Sequence, residues 1–262
     1  MTKYLEGTNL GFQSEFEVLK VRVTPAPIDQ IISFIASTLE SGHNGWIATV
    51  NPEFIVSARK DSQFLRVLNS ADLAVVDGVG VQIALFLLYH IRSPRTPGAD
   101  IIRDICALAA NKGWPVFFLG AAPGVAEAAA RALRAEISEL QVAGTYAGRP
   151  IPEEDEHIRQ MIKNSGARLL FVAFGMRNQE IWIHRNLPYL GSIVAMGVGG
   201  TFDYLSGKVP RAPGLIRKLG LEWFYRLLRQ PWRWKRQIAL PIFIYLILKE
   251  LLLFKSNIKK KG

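Results

Sequence analysis

Asp77 stands between an apolar run, Leu73–Val76, and the turn Gly78-Val79-Gly80. A carboxylate at the end of a buried strand can be partly desolvated, which would suit it to work as a general base. The same position also suits an N-cap of the next helix, and the spacing leaves both readings open. A second group of residues lies between Met196 and Arg236. Met196-Gly197-Val198-Gly199-Gly200-Thr201-Phe202-Asp203 is a glycine turn behind an apolar run, with Asp203 as its acid. Glycines at a strand end let backbone amides approach a ligand closely. Arg226, Arg229, Arg233 and Arg236 follow among aromatic residues. Arginines so placed could hold a diphosphate by paired hydrogen bonds. A loop and a solvated basic helix would explain the same letters, but apolar residues interleave with the charges. Arg95, beside Thr96 in a Pro/Gly loop, could reach a phosphate or simply face solvent.

Other chemistries find little support. His43, His90, His157 and His184 are scattered without ligand spacing, and there is no Asp-x-Asp to hold a divalent ion. Glu153 to Glu156 form an acidic run, yet just after Pro152 they read as charge favoured in a first helical turn. Gly120 to Gly124 could cradle a phosphate or ribose at a helix start, but it does not match the Walker pattern. Gly78-Val79-Gly80 lacks the third glycine of the dinucleotide fingerprint. No Ser-His-Asp or Cys-His nucleophile is visible, and Cys106 has only Arg103 as a cationic sequence neighbour. No metal and no cofactor is expected.

The elements that must position these residues alternate. Phe16 to Val23 reads as a strand, and Ile28 to Leu39 as a helix with Ile31, Ile32, Ile35 and Leu39 on one stripe. Trp46–Val50, Leu73–Val76, Val116–Leu119, Val142–Thr145, Leu169–Phe174 and Ile193–Val198 are short apolar strands. Helices of about ten residues or more separate most of them, and Asn51-Pro52 is a natural cap and first helical position. That alternation predicts an α/β fold: a Rossmann-like, mostly parallel sheet flanked by helices. In such a sheet ligands sit beyond the carboxyl ends of the strands. The rule gathers Thr49, Asn51, Asp77, Gly120, Tyr146, Gln179, Gly199 and Asp203 on one edge.

The character changes after Pro210. Leu215, Leu219, Trp223 and Leu227 recur every four residues as an apolar helical stripe, although Pro231 argues for a kink. Ile238–Leu248 is an unbroken apolar run of about 16 Å as helix, short of a roughly 30 Å hydrocarbon core. Binding at a membrane interface, with cations on anionic headgroups, fits better than a full span. A core helix or an oligomer contact would also explain the run. The expected division is an α/β core over residues 1–205 and a basic amphipathic helical appendage for membrane association over residues 206–262.

The chain's 262 residues carry a net charge of +10 and are 49% hydrophobic, which disfavours disorder and suggests a polyanionic partner. One cysteine excludes a disulfide framework within the chain, which fits a reducing compartment. The first residues look like a loose leader, without the apolar stretch of a signal peptide.

Several stretches together resemble the WecG/TagA/CpsF family of bacterial glycosyltransferases. They are Thr49-Val50-Asn51-Pro52-Glu53, Ala71-Asp72 through Asp77-Gly78-Val79-Gly80, Arg95-Thr96-Pro97-Gly98-Ala99-Asp100, Phe118-Leu119-Gly120, Phe174-Gly175 through Asn178-Gln179-Glu180, and the segment from Met196 through Trp234. The resemblance covers roughly residues 16–240. It implies an inverting, metal-independent transfer from a UDP-sugar to an acceptor linked to undecaprenyl diphosphate, in assembly of a cell-surface or extracellular polysaccharide. It implies Asp77 as the base, with Thr49, Asn51, Gln179 and Asp203 lining the donor pocket. Arg95, Arg226, Arg233 and Arg236 would meet the diphosphate. Family donors include N-acetylmannosamine, its uronic acid and glucose. Arg177-Asn178 stands where many relatives have Pro-Lys, and the apolar tail past Gln237 is long, so the donor stays open.

The expected partners are therefore a UDP-sugar, a lipid-linked sugar acceptor and a membrane surface with anionic lipids. The expected place is peripheral, on the cytoplasmic face of the inner (plasma) membrane. Homo-oligomer formation is left open. Two rivals stand beside this reading: a basic nucleic-acid-binding protein, suggested by Trp232 and Trp234 among arginines, and a noncatalytic membrane scaffold. The apolar run after Ile238 speaks against nucleic acid as partner, and Asp77, Thr49 and Gln179 against a scaffold.

Overall fold

A computed structural model describes residues 15–259, with side-chain surroundings through Leu253. The leader over residues 1–14 lies outside the described residues, as do the side chains of the lysine-rich end. The strand expected over Phe16–Val23 is a small hairpin of β1 (Phe16–Val18) and β2 (Val21–Val23). Leu19 and Lys20, both at positive φ, make the turn between them.

The remaining strands are β3 (Gly45–Val50), β4 (Leu73–Val76), β5 (Val116–Gly120), β6 (Val142–Tyr146), β7 (Leu169–Ala173) and β8 (Val194–Gly197). They form one sheet in the order β4-β3-β8-β7-β5-β6, and every pairing is parallel. Helices α1 (Ile28–Glu40), α2 (Pro52–Lys60), α3 (Ser62–Asn69), α4 (Val79–Tyr89), α5 (Gly98–Lys112), α6 (Val125–Glu136), α7 (Pro152–Asn164), α8 (Asn178–Asn186) and the short α9 (Thr201–Leu205) follow in chain order.

The sheet is covered on both faces because successive side chains of a strand point opposite ways. In β3, Trp46, Ala48 and Val50 join one core with Phe54, Phe64, Leu85 and Trp182 of α2, α3, α4 and α8. Ile47 faces the other core, built with Ile31, Ile35, Ile102, Ala129 and Phe202 of α1, α5, α6 and α9. This is the α/β architecture expected of strands that are apolar on both sides.

The carboxyl ends of β3, β4 and β8 come together because these strands are neighbours at one side of the sheet. Local chemistry fixes how each chain leaves its strand. Asn51 Oδ1 accepts from the backbone N–H groups of Glu53 (3.0 Å) and Phe54 (3.2 Å), while Pro52 lacks an N–H to satisfy. α2 therefore starts directly above β3.

The C-terminal segment differs from the continuous stripe read in the sequence. It breaks into α10 (Gly214–Lys218), α11 (Glu222–Arg229), a 3-10 turn at Pro231–Arg233, α12 (Trp234–Gln237) and α13 (Ala239–Lys259). Gly220, at φ +73°, separates the stripe residues Leu215 and Leu219 from Trp223 and Leu227. Pro231 ends α11 as a ring without an N–H must. α13 packs against α2 and α4, and buries Phe243 and Ile247 in the core. Its other side leaves Ile244, Tyr245, Leu248 and Leu252 exposed. The helix is thus part core element and part apolar surface.

Candidate active site

A cleft of about 870 Å³ opens above the carboxyl ends of β3, β4 and β8, a size that suits a nucleotide-bearing ligand. Its floor carries Thr49, Asn51, Asp77 and Gln179, and Gly199 and Asp203 form one rim. The C-terminal segment closes it with Arg226, Arg233 and Arg236, and Arg95 lies on the wall.

Each floor residue is held by backbone geometry. The Asp77 N–H donates to the Val50 carbonyl at 2.8 Å, continuing the ladder between β3 and β4 past the last strand residue. Gly78, not Asp77, occupies the N-cap of α4. The Asp77 carboxylate is thus free of the capping role that its position also allowed, and Asn51 hydrogen-bonds to it instead. The loop bearing Arg95 is pinned next to it, because Thr96 donates from both its N–H (3.0 Å) and its Oγ1 (3.2 Å) to the Val76 carbonyl. Thr49 Oγ1 donates to the Gly197 carbonyl across to β8 at 3.2 Å.

Asp77 keeps a window on the cleft, yet protein walls surround its carboxyl. Loss of water there pushes its pKa up to about 7, reinforced by Glu222 and Asp100 and opposed by Arg95 and Asn51. A carboxylate of that basicity can take a proton from a hydroxyl near neutral pH.

The arginines converge from separate short helices. Arg236 forms a two-pronged pair with Glu53 at 2.6 and 2.8 Å, tying α12 to the start of α2. Arg226 stacks on the Tyr204 ring at 4.9 Å and lies 3.9 Å from Asp203. It also lies so close across Gly200 that a side chain there would overlap its guanidinium. Gln230 Oε1 accepts from both Arg226 and Arg233 at 3.4 Å. Burial, with repulsion from Arg226 and Arg236, lowers the Arg233 pKa to about 10. Such a cluster is short of negative charge, and an anion in the cleft would relieve it.

Two of the expected residues do not line the cleft. Tyr146 ends β6, the far edge strand, and its ring meets His157 edge-on at 5.8 Å instead. Gly120 is pressed against the Ala173 backbone, and the next residues, Ala121 and Ala122, form the wall. The other ten expected residues, from Thr49 through Arg236, all face it.

The chain matches the Glycosyl transferase WecG/TagA/CpsF family over residues 16–257. The chain belongs to the WecG/TagA/CpsF family of glycosyltransferases. It is 34% identical over 204 residues to an N-acetylglucosaminyldiphosphoundecaprenol N-acetyl-beta-D-mannosaminyltransferase of Bacillus subtilis (strain 168), covering 78% of this chain and 79% of that one. It is 35% identical over 233 residues to the protein of the same name from Staphylococcus aureus (strain MW2), covering 89% of each.

Around the cleft of this glycosyltransferase lie further side chains with little local signal in the sequence. Glu53 and Tyr204 seat Arg236 and Arg226, and Glu222, whose charge raises the Asp77 pKa, pairs with Arg211 at 3.2 Å. Glu180 is fully buried beneath the floor. Apart from its place in a stretch that carries the family resemblance, its sequence signal is a position beside Gln179 at a helix start, where an acid also suits the dipole. Among the described residues no group of three or more His, Cys, Asp or Glu is disposed to hold a metal ion. Among them, too, no helix is long and apolar enough to cross a membrane.

Proposed function

We propose that this glycosyltransferase moves a sugar from a UDP-sugar to an acceptor linked to undecaprenyl diphosphate, with inversion and without a metal ion. The observation that carries the reading is one cleft with a basic carboxylate, Asp77, facing arginines that arrive from the C-terminal segment. The acceptor hydroxyl loses its proton to Asp77 as its oxygen attacks the anomeric carbon. The bond from that carbon to the UDP oxygen breaks on the opposite face, and its electron pair leaves with the diphosphate. Arg95, Arg226, Arg233 and Arg236 stabilise the charge that grows there. Thr49, Asn51, Gln179, Gly199 and Asp203 line the donor side.

The names of the relatives make N-acetylmannosamine the first donor sugar to try and N-acetylglucosaminyl-diphosphoundecaprenol the first acceptor. The membrane surface enters through the exposed apolar residues of the C-terminal segment. Leu215, Trp232 and Leu252 are 70, 71 and 70% exposed, among arginines and lysines. That composition suits the boundary of an anionic leaflet, peripherally and on the cytoplasmic side where nucleotide sugars are made.

The test is Asp77→Asn in an assay with labelled UDP-sugars and lipid acceptor. UDP binding should persist while turnover falls at least about a hundredfold, the range of a lost general base. Unchanged turnover would remove Asp77 from the role.

A further inference from the structure

Beneath the cleft runs a buried chain of hydrogen bonds that the transfer step does not use directly. The Gly199 N–H donates to Gln179 Oε1 at 3.0 Å. Gln179 Nε2 donates to Glu180 Oε1 at 2.9 Å, and Trp46 Nε1 donates to Glu180 Oε2 at 3.0 Å. Gln179, Glu180 and Trp46 are at most 2% exposed. Gly197 lies directly under this chain, and any side chain there would overlap both Gln179 and Glu180.

We propose that Glu180 is a positioning residue: its carboxylate, held between Gln179 and Trp46, fixes the Gln179 amide that carries the Gly199–Gly200 turn, and with it the seat of Arg226. The inference rests on the donor-pocket reading above. The Gln179 amide sits between a backbone N–H that can only donate and, once Glu180 is ionised, a carboxylate that can only accept. It therefore fits only one way round, with its oxygen toward Gly199. Gly200 follows, and Arg226 lies against it. Glu180 has no cationic partner among the described residues, so the chain keeps a buried acid without an ion pair. A side chain so costly to bury needs another reason to be an acid. Two fixed donors facing its two oxygens supply that reason.

Glutamine at 180 has nearly the same shape but one acceptor and one donor. If its oxygen faces Gln179, its NH₂ meets the Trp46 N–H. If its oxygen faces Trp46, the Gln179 amide must turn and set its NH₂ against the Gly199 N–H. Trp46 is locked in β3 between two neighbouring strands, whereas the Gly199 turn has none beyond it. The conflict is therefore passed to the turn.

The experiment measures UDP binding by calorimetry at about pH 8.5, above the Glu180 pKa of about 7, with wild type, Glu180→Gln, Trp46→Phe and the double variant. Glu180→Gln should weaken binding about tenfold, as one clashing buried donor does. Adding Trp46→Phe removes the opposing N–H, so the double variant should bind more tightly than Glu180→Gln alone. A merely structural role predicts additive losses. Equal affinity in wild type and Glu180→Gln, or no rescue in the double variant, overturns the proposal. If Glu180→Gln alone does not fold, recovery of folding in the double variant supports the proposal and failure overturns it. If wild type does not bind UDP, the donor-pocket reading falls instead. Amide exchange at Gly199 then decides the relay: faster exchange in Glu180→Gln supports it, and unchanged exchange overturns it.

Discussion

Asn51 hydrogen-bonds to Asp77 with one end of its amide while the other end caps α2. One side chain therefore starts a helix and tempers, against the larger effect of burial, the pKa of the carboxylate beside it. Asn51→Ala should cost about 1 kcal/mol of stability through the lost cap. It should also raise the Asp77 pKa, because the lost bond favoured the charged form. The acid limb of log(kcat/KM) against pH should shift upward, and an unmoved limb would separate the two residues.

Stability and turnover should run in opposite directions between about pH 4 and 7, the span between the unfolded and folded pKa values. Burial raises the Asp77 pKa from 3.8 and the Glu180 pKa from 4.5, each to about 7. A raised carboxyl pKa means the native state favours the neutral form. Its contribution to stability is complete below the unfolded value and is lost as pH rises through about 7. Each group changes stability by up to roughly 1.4 kcal/mol per pH unit in that window. The melting temperature should fall as pH rises, and Asp77→Asn should flatten part of the fall. Turnover, which needs the Asp77 carboxylate, should rise over the same range.

Arg233 is held against its own interest until an anion arrives, since burial and two neighbouring arginines disfavour its charge. Arg233→Ala should leave the ligand-free melting temperature unchanged or slightly raised. The stabilisation gained on adding UDP should shrink, corresponding to an affinity loss of about tenfold or more. A large drop in ligand-free stability would contradict this account.

Chelation offers a direct check on the role given to the arginines. Turnover should survive excess EDTA, because the departing diphosphate is neutralised by side chains in the proposed mechanism. A loss restored by a divalent ion would show that the guanidinium groups do not suffice.

Trp232→Ser with Leu252→Ser removes two of the most exposed apolar side chains, neither of which lines the cleft. Flotation with vesicles containing anionic lipid should drop several-fold, while UDP binding stays the same. Equal flotation would move membrane contact to another face.

The strands and their exits were legible because they depend on neighbours in sequence. Asn51-Pro52 announces a helix start through one acceptor side chain and one missing N–H, and the structure has both. Tyr146 shows the limit: it ends a strand as Thr49 does, but local pattern carries no information on strand order, and β6 is the far edge. The hairpin at Leu19-Lys20 was hidden for another reason, since its turn uses non-glycine residues at positive φ. Glu180 was hidden by type. A carboxylate at a helix start reads as solvated charge until tertiary packing covers it.

The helix at the end of the described chain has a double allegiance. Phe243 and Ile247 are rooted in the core, while Leu240, Ile244 and Leu248 border the cleft opening. A version of the enzyme cut before residue 239 to ease handling in detergent-free buffer would therefore lose more than an attachment device. It would expose a raw apolar wound on α2 and α4 and leave the reaction chamber missing a side. Such a fragment should be sluggish even toward a freely dissolved acceptor.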